Sequence, residues 1–112
     1  LRMLQSEGLV AFEPNRGAFL ERFEAHSARI TARHGFTLVA TWEAGTPSRR
    51  EFVYLLSWPD EAAKDAGWAA FLADPEWIET KRATREAHGP LVGEIEDRVL
   101  VPVGDAPLQR AT

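Results

Sequence analysis

Apolar and polar positions alternate along the chain in two distinct rhythms. Leu1 to Phe12 sets Leu, Val, Met and Phe around the polar run Gln5-Ser6-Glu7-Gly8. This predicts a strand interrupted near Gly8 by a turn or bulge. Arg16 to His34 changes to the helical rhythm, with Phe19, Phe23, His26, Ile30 and His34 recurring every three or four residues. Asn15 is a fair N-cap and Gly35 a C-terminal stop. Two strands follow. In Phe36 to Glu43 the period of two puts Phe36, Leu38, Ala40 and Trp42 on one face. In Glu51 to Trp58 it groups Phe52, Tyr54, Leu56 and Trp58. Ala44-Gly45-Thr46-Pro47-Ser48 reads as the turn between them.

Pro59, Asp60 and Glu61 open a second helix whose inward stripe is expected at Ala63, Ala66, Gly67, Ala70 and Phe71, leaving Trp68 and Leu72 off it. Asp74-Pro75-Glu76 starts a third, shorter helix that runs to His88 and stops at Gly89-Pro90. Leu91 to Val103 is the last strand, with Glu94, Glu96 and Arg98 on one face. The order is β-α-β-β-α-β with an extra short helix, a ferredoxin-like α+β unit. Residues 1–103 form a single domain and 104–112 a loose tail.

Phe52-Val53-Tyr54-Leu55-Leu56 does not alternate, so both faces of this sheet are expected to be covered. Helices account for one face. In a chain of 112 residues, a second copy is the simplest cover for the other, so a homodimer is expected.

Composition narrows the chemistry. There is no cysteine, which excludes disulfides, thiolate metal sites and a cysteine nucleophile. A net charge of -4 gives no basic footprint for nucleic acid. No apolar run approaches the roughly 20 residues that span a bilayer, and a cytoplasmic location is expected. The three histidines lack metal-ligand spacing; His26 and His34 are two turns apart, roughly 12 Å. No metal and no cofactor are expected.

Several stretches resemble the NIPSNAP family: Ala18-Phe19-Leu20-Glu21-Arg22-Phe23-Glu24-Ala25-His26, Arg33-His34-Gly35-Phe36-Thr37-Leu38-Val39, Val53-Tyr54-Leu55-Leu56, Trp68-Ala69-Ala70-Phe71-Leu72-Ala73-Asp74-Pro75-Glu76-Trp77 and Glu96-Asp97-Arg98-Val99-Leu100-Val101-Pro102. The resemblance covers about residues 16 to 103. It implies a ferredoxin-like subunit that pairs into a dimeric α+β barrel, in a superfamily that includes cofactor-independent monooxygenases, isomerases, haem enzymes and proteins of unknown role.

The candidate site residues follow from these patterns. His26, on the apolar stripe of the first helix, is the expected acid or base; its other reading is a buried, hydrogen-bonded core histidine. Glu96 and Arg98 supply an acid or base and an anion anchor if their strand face meets a cavity, and a solvated edge if it does not. Phe23, Trp42, Tyr54, Trp58 and Phe71 are the expected aromatic walls of a substrate pocket, or else core and dimer packing. His34 and His88 suit the C-terminal ends of their helices. The reading is a small-molecule-binding, cofactor-independent enzyme of bacterial secondary metabolism, working by monooxygenation, isomerisation or another proton transfer on an aromatic or polyketide-like substrate. Its rival is a non-catalytic homodimeric binding or scaffold protein.

Overall fold

Four antiparallel strands carry a layer of helices on one face. The computed structural model describes residues 3–11, 15–46, 49–101 and 103–104. The elements are β1 (Met3–Ala11), α1 (Arg16–Arg22), a π-helical turn (Phe23–Ser27), α2 (Ala28–Arg33), β2 (Thr37–Thr46), β3 (Arg49–Trp58), α3 (Glu61–Leu72), α4 (Pro75–His88) and β4 (Val92–Leu100). Strand order is β2-β3-β1-β4, the ferredoxin-like arrangement expected from the order of elements. Apart from Gly104, the expected tail lies outside the described residues.

Pairing between strands decides details that propensity misplaces. Gly8 does not interrupt β1; it pairs with Val53 on one side and Glu96 on the other, and the irregularity falls between Leu9 and Ala11. Residues 44–46, expected in a turn, instead continue the β2–β3 ladder out to Thr46 opposite Arg49. A second irregularity matters more. Leu38 pairs with Leu56, but Ala40 already pairs with Leu55, so Val39 is an extra residue. A bulge reverses the facing of everything beyond it. Trp42 therefore pairs with Val53 and shares the face away from the helices, where it is 51% exposed. It does not share a face with Phe36 and Leu38.

Phe52, Tyr54, Leu56 and Trp58 of β3 meet the helices. One core cluster joins Leu56 and Trp58 to Ile30, Phe36, Phe71 and Trp77; a second joins Phe52 to Phe19 and Leu91. The rotation of α3 is set at Gly67. A Cβ there would lie 2.7 Å from Cη2 of Trp58, so only glycine lets the indole seat against the helix. The buried side of α3 is consequently Gly67 and Phe71, with Ala63 and Trp68 packed beside them. Ala66 and Ala70, expected inward, are exposed.

Caps fix the helix ends. The carboxylate of Asp60 accepts from the Ala63 amide at 2.8 Å, and that of Asp74 from the Glu76 amide at 2.8 Å, each satisfying an otherwise orphaned donor. Asn15 makes no such cap. Its Nδ2 donates across the molecule to the carbonyl of Pro90 at 2.9 Å, pinning the start of α1 to the loop after α4. Gly35 (φ 87°) and Gly89 (φ 77°) end α2 and α4 in the left-handed region that glycine adopts without strain.

Candidate functional site

Between the helical layer and the sheet lies a half-open cavity of about 390 Å³. Its walls are aromatic and aliphatic. The sheet contributes Leu38, Tyr54, Leu56 and Ile95, and the helices contribute Phe19, Phe23, Trp68, Phe71 and Trp77. Phe23 sits 6.4 Å from Tyr54, centroid to centroid, and 4.7 Å from Phe52; Phe71 stacks on Trp77 at 4.7 Å. Leu38, Leu72 and Ile95 line the cavity and remain exposed, so it opens to solvent beside them.

The π-helical turn shapes one wall. A π turn accommodates one more residue than an α turn and shifts the helix face accordingly. Phe19, Ser27 and Ile30 are buried, and Phe23 is half-buried on the same side. Ser27 takes the inward position that regular α periodicity assigns to His26. Ser27 and Thr31 both line the cavity, and their hydroxyls donate back into the helix, Ser27 Oγ to the Arg22 carbonyl at 3.4 Å and Thr31 Oγ1 to the Ser27 carbonyl at 2.8 Å.

His26 is corrected accordingly. It is exposed and faces a shallow groove against α4, beside Glu76, Glu79 and Thr80, so it is neither a buried base nor a cavity residue. Glu96 and Arg98 pair with Gly8 and Ser6 on the sheet face away from the helices. Both are exposed, and Arg98 Nε donates to Glu96 Oε1 at 2.8 Å; they too lie outside the cavity. Of the expected aromatic walls, Phe23, Tyr54 and Phe71 line it. Trp42 sits on the opposite sheet face, and Trp58, 1% exposed, is core.

Sequence reasoning missed the polar lining. Arg22, Lys81 and Arg85 border the cavity, and no Asp or Glu among the described residues does so. Trp77, Lys81 and Arg85 follow one another at intervals of four on α4, a face signature visible in the sequence. Arg22 was hidden because a cation one turn from Phe19 reads as an ordinary solvated position. Its guanidinium stands over Trp77 at 5.1 Å and over Phe19 at 5.9 Å, and burial pushes its pKa down.

A second polar cluster ties α2 to α4. Asp74 is buried, and His34 Nε2 approaches its Oδ2 at 2.6 Å while Arg33 Nη2 donates to the same oxygen at 2.7 Å. Hydrogen bonds from His34 and then Arg33 hold the Asp74 carboxyl well below the usual carboxylate range. Glu76, bonded first by Arg29 and then by Arg33, is pushed down to about 2. Each of these acids has a structural partner, so the cluster is a clamp between helices. Among the described residues no three His, Asp or Glu side chains gather as metal ligands would, and no helix is long and apolar enough to cross a membrane.

No curated protein matches the chain. Among solved structures, a NIPSNAP-like domain protein from Burkholderia xenovorans superposes with a TM-score of 0.80 at 20% identity, covering 95% of this chain and 89% of its own. SnoaB, a cofactor-independent oxygenase from Streptomyces nogalater, gives 0.56 at 18% identity over 95% and 97%. A monooxygenase from the gene ActVA-Orf6 of Streptomyces coelicolor, in complex with Nanaomycin D, gives 0.59 at 14% over 93% and 89%. These likenesses establish the shared fold. The family model described as NIPSNAP matches residues 13–107, and the chain belongs to the NIPSNAP family.

Proposed function

We propose that this protein binds a small, flat, largely apolar molecule in the cavity between helices and sheet and transforms it without an organic cofactor. The observation that carries the reading is the cavity itself: about 390 Å³, within the range of small-molecule sites, with apolar walls and a few convergent polar groups. A purely structural core of this size would be filled, because protein interiors pack like crystals. Structures of the same fold named as a cofactor-independent oxygenase and as a monooxygenase in complex with the ligand Nanaomycin D support an oxygenation, or an isomerisation begun by loss of a substrate proton.

The groups available for that proton differ from those expected. Of the described lining residues, the Tyr54 hydroxyl and the Lys81 ammonium can exchange one. We assign proton handling to Tyr54, which lines the cavity, rather than to the exposed His26.

Trp68 and Trp77 in the walls make binding visible as quenching of tryptophan fluorescence by planar aromatic compounds. Leu38→Trp, which fills the mouth, should abolish quenching while leaving the melting temperature within a few degrees. Tyr54→Phe should keep binding but lower oxygen uptake or isomerisation by about 10²–10⁴-fold, the usual worth of a positioned acid or base. Absence of binding to wild-type protein would leave the scaffold reading in its place.

A further inference from the structure

We infer that the cavity selects an organic anion, an apolar planar body ending in a carboxylate or a phenolate, with Arg22 as its anchor. The inference deepens the ligand-site reading above and rests on it.

Five arginines elsewhere in the chain are paired with carboxylates, and Arg22 differs from them. Arg16 pairs with Glu43, Arg29 with Glu76, Arg33 with Asp74 and Glu76, Arg82 with Glu79 and Glu86, and Arg98 with Glu96. Arg22 is half-buried, as is Arg16, while the others are exposed, yet among the described residues it has no carboxylate partner. Its described contacts are the faces of Trp77 and Phe19. Stacking on an aromatic face steadies the charge but leaves the planar fork of N–H donors unused. Those donors match a carboxylate or phenolate oxygen in geometry and charge. Placed in an apolar wall, they carry a desolvation cost that an incoming anion would offset.

The rest of the lining agrees in sign. Lys81 stands over the Trp77 ring at 5.7 Å, and Arg85, without an ion-pair partner among the described residues, borders the same cavity. All three charged side chains among the described lining residues are therefore cations, in a chain whose net charge is -4. Arg22 lies at the inner, half-buried position and the other two on exposed turns of α4. An anion would meet the exposed cations first and the enclosed one last.

The test compares naphthalene-2-carboxylate with its neutral near-isostere naphthalene-2-carboxamide by titration calorimetry at pH 8. Wild-type protein should bind the carboxylate at least about tenfold more tightly, since hydrogen bonds to charged groups outweigh neutral ones by this margin. Arg22→Met should bring the two affinities together by weakening the carboxylate alone. Arg22→Lys, which keeps the charge without the fork, should restore part of the preference, and melting curves of both variants should match wild type. Equal binding of the two ligands by wild-type protein, or a preference that survives Arg22→Met, would overturn the anchor and leave the cavity reading standing. Failure of wild-type protein to bind either ligand would overturn both.

Discussion

Gly67 shows how a single hydrogen atom in place of a methyl sets a wall of the molecule. A Cβ at this position would stand 2.7 and 2.8 Å from two atoms of the Trp58 ring and 3.2 Å from the His34 carbonyl oxygen. Trp58 is 1% exposed and in edge contact with Phe36, so it has no free direction in which to retreat. Gly67→Ala should cost about 1–3 kcal/mol by overpacking, despite the better helix propensity of alanine. A urea melt that leaves the midpoint unchanged or raised would mean that the indole yields. The stripe of small residues on this helix was visible in the sequence, but its meaning was not. At Gly67 it serves close approach, while Ala66 and Ala70 face water. Trp42 shows the same limit. Its period-two pattern with Leu38 is intact, and only the ladder reveals that Val39 is supernumerary.

Among the elements, α2 and α4 are held by the clamp of Arg29, Arg33 and His34 on Asp74 and Glu76. Both acids have folded-state pKa values depressed below their ordinary ones. Their contribution to stability is thus complete above the unfolded carboxylate range, about pH 4. It is lost as pH falls toward the folded values, about 2 for Glu76. The melting temperature should drop between pH 4 and 2, and Asp74→Asn should flatten that part of the curve while lowering its plateau. An unchanged acid limb in Asp74→Asn would show that the clamp does not couple to folding. The element order and the Asp74-Pro75-Glu76 helix start were readable because they depend on local periodicity and capping. The π-helical turn was not. Phe23-Glu24-Ala25-His26-Ser27 contains no glycine or proline to mark it, and packing against the sheet imposes it. That one turn moved His26 out and Ser27 in, which is why the expected base was misplaced while its neighbour Phe23 was not.

At the scale of the whole molecule, the helices occupy one face of the sheet, and the other carries Trp42, Val53, Leu55 and Leu100 in register. Trp42 and Leu100 are 51% and 38% exposed. We propose that this face meets the same face of a second copy, giving a homodimer. Sedimentation at micromolar concentration should show a dimer, and Trp42→Glu should shift it toward monomer with the helix-side core intact. A wild-type monomer at that concentration would contradict the proposal. The arrangement has a consequence for occupancy. Two sheets stacked back to back, about 10 Å apart, would send their cavities outward in opposite directions, each built wholly from its own chain. Filling one would neither block nor complete the other. Titration of such a pair should follow a plain hyperbola with a Hill coefficient of about one, the behaviour of sites that share a foundation but exchange no free energy.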